Sequence, residues 1–247
     1  MDALILIPAR MASTRLPGKP LADIAGQPMI VHVLKAASAA KAGPVYVACA
    51  EDEIKTAVEA AGGKAVLTAP DLPSGSDRVR AAAESLDPQK RFDIVVNVQG
   101  DMPTLSPSLI NTIIAPLVAD PSLDMSTAAV YTEDSREILD PNVVKAVISK
   151  KGRALYFTRA SAPSRPEGSD MPAGVYHHLG VYAYRRAALD RFCSLPPSPL
   201  ETRERLEQLR ALEEGMSIYV CVVDAAPHGV DTEDDLRRVR EIMRQSK

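Results

Sequence analysis

Three cations, Arg10, Arg15 and Lys19, fall on one short irregular stretch, "PARMASTRLPGKP". Pro8, Pro17 and Pro20 restrict that loop and so lower the entropy lost when it is ordered. Cations together with loop N–H groups suit a polyphosphate. A Walker loop is excluded, because Pro20 follows Gly18-Lys19 where Ser or Thr is required. Taken alone, a solvated basic loop would also explain the charges. Two acids matter as well, Asp101 in "VNVQGDMP" and Asp231 in "PHGVDTEDDL". Carboxylate oxygens are hard ligands suited to Mg²⁺, which takes one or two of them plus substrate phosphates. Each acid also has a plainer reading, Asp101 in a turn and Asp231 as the cap of the last helix. Cations for phosphates and two acids for a metal together point to nucleotidyl transfer. That chemistry rests on in-line positioning and charge neutralisation more than on a protein nucleophile.

Other constellations say less. "SGSDR" places Ser74, Ser76 and Arg78 where a helix capped by Ser76 or Asp77 would start. His177 and His178 are adjacent and would diverge on a strand. "ETRERLEQLR" reads as a charged helix, and no Ser–His–Asp, Cys–His or paired-carboxylate glycosidase site is readable.

These residues must be positioned by an alternation of short apolar strands and amphipathic helices. "LILIP" is apolar on both faces, as a buried parallel strand requires. A helix over "MIVHVLKAASAAKAG", with Pro28 at its start and Gly43 past its end, is followed by strand "VYVAC", helix "DEIKTAVEAAG" and strand "KAVLTA". Helix "DRVRAAAESL", strand "DIVVNVQGD" and helix "LSPSLINTIIAPLVAD" continue the rhythm. "MSTAAVYT", "NVVKAVIS", "RALYFTR" and "HLGVYAYRR" then read as successive strands, the middle pair joined by a "KKG" turn. The chain returns with one charged helix, "PLETRERLEQLRALEEG", the strand "SIYVCVVD", and a closing helix capped by Asp231 or Thr232. "SAPSRPEGSDMPAG" reads as a mobile loop. The expected fold is α/β, a doubly wound, mostly parallel Rossmann-like sheet with a small antiparallel excursion. A single domain over 1–247 is expected, with 125–186 as that excursion.

With 247 residues, 46% of them hydrophobic, the chain can bury a sizeable core. A net charge of −3 and a pI near 5.9 offer no global attraction to nucleic acid or to an anionic membrane. Three cysteines without paired metal spacing suit reduced thiols in a cytoplasm. The first apolar run is too short for a signal peptide, and no run approaches the ~18 apolar residues of a membrane span.

"IPARMASTRLPGKPL", "SGSDR", "VNVQGDMP", "ALYFTRA", "HLGVYAYRR", "SPLETRERLEQLR" and "GVDTEDDL" occur in an order and approximate spacing that resembles the CMP-Kdo synthetases, the 3-deoxy-manno-octulosonate cytidylyltransferases. The resemblance spans almost the whole chain. "PARMASTRLPGKP" and "LEQLR" are its most specific signals. It implies transfer of CMP from CTP to the anomeric hydroxyl of Kdo for lipopolysaccharide synthesis, with Mg²⁺ as cofactor and a homodimer as the assembly. It further implies that Pro8, Ala9, Arg10, Ser13, Arg15, Lys19, Arg78 and Gln99 contact CTP, and that Arg10 and Lys19 neutralise its phosphates. Asp101 and Asp231 would hold Mg²⁺, and Arg159, His178, Tyr182, Glu207 and Gln208 would line the sugar side. The antiparallel block would supply the sugar pocket and dimer contacts. Three features depart from the family pattern: Met102 where Glu is frequent, no proline after Thr232, and a shorter loop around "SRPEGSDMPAG". A cytidylyltransferase for 8-amino-Kdo or another acidic sugar, and a non-catalytic CTP-binding regulator, remain as alternatives.

Overall fold

The apolar opening becomes β1 (Leu4–Ala9), almost wholly buried, in a computed structural model that describes residues 2–12, 15–164, 166, 168 and 174–245. A small hairpin, β2 (Asp23–Ile24) with β3 (Gln27–Pro28), precedes α1 (Met29–Ala39). Then come β4 (Val45–Cys49), α2 (Asp52–Ala60), β5 (Ala65–Leu67), α3 (Gly75–Leu86), β6 (Ile94–Asn97) and α4 (Pro107–Ala119). β7 (Met125–Thr132), α5 (Ser135–Leu139), β8 (Lys145–Ile148), β9 (Ala154–Thr158) and β10 (Val175–Arg185) follow. The remainder is α6 (Arg186–Ser194), α7 (Pro199–Glu204), α8 (Gln208–Glu213), β11 (Ile218–Val223) and α9 (Glu233–Gln245). The fold is mixed α/β, mostly parallel in its sheet with a small antiparallel part, and it divides into two compact units, Met1–Ile114 with Pro227–Lys247, and Ala115–Ala226.

In the first unit β1 lies between β6 and β4, with β5 beyond β4, and the pairings of these four strands are parallel. Parallel neighbours need crossovers, which α1, α2 and α3 supply. The start of α3 differs from expectation. Ser74 is its N-cap and accepts from the Asp77 N–H at 3.1 Å, while Ser76 is buried. α1 stops at Ala39, and Lys41 rather than Gly43 takes the left-handed conformation of a helix end, with φ 52°. α9 packs Leu236 and Val239 into a buried cluster with Leu16, Ile24, Met29 and Val230. Leu16 thereby anchors the cationic loop; burying one such side chain contributes about 1.5–3 kcal/mol.

In the second unit β7 pairs antiparallel with β10 and parallel with β11, while β8 pairs antiparallel with β10 and β9. The β8–β9 hairpin forms on the "KKG" turn, with Gly152 donating to the Ser149 carbonyl. The single charged helix expected after Pro199 is two helices. α7 starts with a Ser198/Glu201 capping box and ends where Arg205 turns left-handed (φ 55°), which an α-helix cannot continue through. That turn lets Leu206, Gln208 and Leu209 all be buried. Among the described residues no helix is long and apolar enough to cross a membrane.

Candidate functional site

The cationic loop sits where β1 and β6 end. Gly100 permits this approach, because a Cβ there would lie 2.8 Å from the Pro8 carbonyl oxygen. The loop is closed by Gly18 N–H donating to the Met11 carbonyl, and tied to the start of α2 by Met11 N–H donating to Glu51 Oε2 at 3.0 Å. A second tie, Val230 N–H to the Asp101 carbonyl at 2.9 Å, brings the segment before α9 against the segment after β6. His228 N–H donating to Thr104 Oγ1 at 2.7 Å reinforces it.

These ties bring Asp101 and Asp231 to one ammonium. Lys19 Nζ donates to Asp101 Oδ2 at 2.8 Å and to Asp231 Oδ1 at 3.2 Å, and Arg15 reaches Asp231 Oδ1 at 3.1 Å. Burial of Lys19 disfavours its charge, but the two carboxylates outweigh that and hold its pKa above the ordinary value. Asp231 is not the helix cap: Thr232 Oγ1 accepts from Asp235 N–H, and Asp235 accepts from the N–H groups of Asp231 and Thr232. Both aspartate side chains are therefore directed to the cationic loop, and two hard oxygen donors addressing one cation fit a divalent metal.

Two adjoining cavities share Pro8, Ala9, Arg10 and Gln99 as walls. The larger, about 310 Å³, is also lined by Arg15, Lys19, Asp101 and Asp231. The smaller, about 120 Å³, is completed by Ser74, Gly75 and Arg78. Arg78 is buried, and its guanidinium donates to Thr68 Oγ1 and to the carbonyls of Ala69 and Pro70, fixing the loop before α3. Burial lowers its pKa below the usual guanidinium value. All described residues expected to contact CTP thus line one cavity or the other; Ser13 lies outside the described residues, as does part of the segment 161–174.

The residues expected on the sugar side all lie in the second unit. His178 and Tyr182 are buried with ring centroids 5.5 Å apart, and Phe157 stands 4.8 Å from the His178 ring. Burial, then the nearby Glu207 carboxylate, raises the Tyr182 pKa well above normal. Burial also pushes His178 down to about 3, so its ring is neutral. His177 diverges from His178 as a strand dictates and faces Glu137 at 3.5 Å. Gln208 opens α8, next to Glu207 at the N-cap. Arg159 donates its guanidinium N–H groups to the carbonyls of Glu204, Pro141 and Arg205.

Several supporting residues were not singled out from sequence. Glu204 accepts from Thr158 Oγ1, Tyr156 Oη and the Arg159 N–H, while the buried Lys145 ammonium donates to the carbonyls of Asp140, Val143 and Arg159. Thr127 bonds His178. Glu204 reads as an ordinary helix acid, Thr127 and Lys145 read as strand positions, and Glu51 falls between a strand and a helix. No spacing marks them.

Residues 4–218 match the cytidylyltransferase family. A 3-deoxy-manno-octulosonate cytidylyltransferase of Rhodopseudomonas palustris (strain BisB18) is 57% identical over 244 residues, covering 97% of each chain. One from Bradyrhizobium sp. (strain ORS 278) is 58% identical, covering 97% of this chain and 96% of its own. The solved structure of a CMP:2-keto-3-deoxy-manno-octonic acid synthetase complexed with CTP superposes with a TM-score of 0.93 at 38% identity, covering all of both chains.

Proposed function

Because the chain belongs to the 3-deoxy-manno-octulosonate cytidylyltransferase family, we propose that it transfers CMP from CTP to the anomeric hydroxyl of Kdo, giving CMP-Kdo and pyrophosphate. The observation that carries this reading is the convergence of Lys19, Asp101 and Asp231 in a cavity shared with Arg10 and Arg15. That arrangement suits a triphosphate accompanied by a divalent cation.

The smaller cavity takes the cytosine ring, against Pro8, Ala9, Arg78 and Gln99. Arg10 and Lys19 neutralise the phosphates, lowering the cost of adding a nucleophile to an already anionic centre. Asp101 and Asp231 are the residues that would hold Mg²⁺, which when bound supplies charge neutralisation and orientation of the triphosphate. Lys19 then exchanges its carboxylate partners for phosphate oxygens. The sugar hydroxyl attacks the α-phosphate in line and pyrophosphate leaves, with no covalent enzyme intermediate. His178, Tyr182, Glu207, Gln208 and Arg159 serve the sugar. The enzyme acts in the cytoplasm as a homodimer, activating Kdo for lipopolysaccharide synthesis.

Pyrophosphate release from CTP and Mg²⁺, with Kdo, 8-amino-Kdo, sialic acid and no sugar run in parallel, tests this. Release with Kdo alone supports it. Preference for the amino sugar would change the substrate, and silence with every sugar in protein that binds CTP would leave a regulator.

A further inference from the structure

The protonation of His178 can be read from a chain of two hydrogen bonds. Thr127 Oγ1 lies 2.6 Å from the Val181 carbonyl oxygen and 2.9 Å from His178 Nε2. A carbonyl oxygen carries no proton, so the hydroxyl proton of Thr127 is directed at Val181. A threonine hydroxyl has one proton to give. At the second contact it is therefore the acceptor, and His178 Nε2–H is the donor. The low pKa set by burial keeps the ring from taking a second proton near neutrality, so Nδ1 retains its lone pair.

Strand geometry makes this chain possible. Along β10 and β7, His178 faces Ala129 while Tyr182 faces Thr127, so four positions on one strand span two on the other. Gly180, at φ 68°, lies inside this bulge, in the left-handed region that glycine enters without strain. The bulge carries the Val181 carbonyl and the His178 ring to the same hydroxyl. Thr127 is fully buried, leaving no solvent to substitute for it.

We propose that Thr127 is a positioning residue that locks His178 in the Nε2-protonated tautomer, so that His178 meets the sugar only as a hydrogen-bond acceptor, through Nδ1. A hydroxyl of the sugar fits such an acceptor; a carboxylate does not, since two acceptors would face each other. The proposal rests on the reading of His178 as a sugar-side residue.

Nitrogen-15 histidine labelling of the full chain, with long-range proton–nitrogen correlation, reads the tautomer without any turnover. His178 is expected to show a pyrrole-like Nε2 and a pyridine-like Nδ1 from about pH 8 to about pH 5, with the Nδ1 signal shifting when Kdo and CTP are added. A protonated Nδ1, or an Nδ1 indifferent to Kdo in protein that turns Kdo over, overturns the proposal. Thr127→Val keeps the volume and removes the acceptor. It is expected to mix the tautomers and to raise the KM for Kdo about tenfold, the loss of roughly one hydrogen bond, with the KM for CTP within about twofold. Thr127→Ser should restore both. An unchanged tautomer and KM in Thr127→Val would overturn the assignment. Absence of any turnover of Kdo by the wild type would instead defeat the functional reading, which the tautomer measurement does not depend on.

Discussion

The Lys19 ammonium and the Asp101 carboxylate meet at 2.8 Å, although 82 positions separate them in the chain. Three local devices produce that contact: the absent side chain of Gly100, the Val230–Asp101 backbone bond, and the burial of Leu16 beneath α9. The contact makes Lys19 a reporter on both acids.

Asp101→Asn removes a charge while conserving volume. It should lower kcat/KM about a hundredfold, two factors of ten at ~1.4 kcal/mol each. Circular dichroism and the Tm should change little, since no core contact is lost. Normal turnover with Mg²⁺ would remove Asp101 from the metal site.

Gly100→Ala tests the close approach of β1 and β6. The added methyl would lie 2.8 Å from the Pro8 carbonyl oxygen, so the strand ends must part. A stability loss of about 1–3 kcal/mol is expected. CTP binding should weaken with it, because Pro8 and Gly100 line the same cavity. Wild-type stability and CTP affinity together would show that the strand ends yield freely.

Lys145→Met keeps the aliphatic stem and deletes the ammonium. Three carbonyls, those of Asp140, Val143 and Arg159, then lose their donor inside the protein. Denaturant unfolding should show a loss of about 1–3 kcal/mol, the cost of leaving buried polar groups unsatisfied. A change below about 0.5 kcal/mol, the size of an ordinary surface substitution, would mean that water replaces the ammonium.

Glu204 gives a pH dependence with a definite sign. Burial opposes its ionisation, but the hydrogen bonds from Arg159 N–H, Thr158 and Tyr156 hold its pKa below the usual 4.5. A folded pKa below the unfolded one means that the unfolded state binds the proton more tightly. The stabilisation is therefore complete above pH 4.5 and is lost as the pH falls through the depressed folded value. In Glu204→Gln that contribution should vanish, so the Tm gap between wild type and variant should narrow on acidification below that point. A constant gap would contradict the network.

Much of this was legible in the residues themselves. The doubly apolar "LILIP" is a buried parallel strand, "MSTAAVYT" is β7 to the residue, and "KKG" is a hairpin turn, because period and turn chemistry are local properties. The charged stretch after Pro199 misled because its charge pattern suits a helix throughout, while the need to bury Leu206 and Leu209 broke it at Arg205. By residue type Asp231 and Thr232 both suit the cap of α9. Choosing between them needed the position of Lys19, a contact more than 200 positions away in sequence. Thr127, Lys145 and Glu204 share that difficulty, since each works through a partner that no local pattern names.

Calorimetric titration of CTP in Mg²⁺ and in EDTA, on wild type and on the Asp101→Asn/Asp231→Asn double variant, tests most directly whether the two acids make the cationic loop a metal–nucleotide site. Mg²⁺ should tighten CTP binding to the wild type about tenfold or more, at least ~1.4 kcal/mol, and leave the double variant nearly unmoved. An equal gain from Mg²⁺ in both proteins would contradict the account, leaving the aspartates as partners of Lys19 alone.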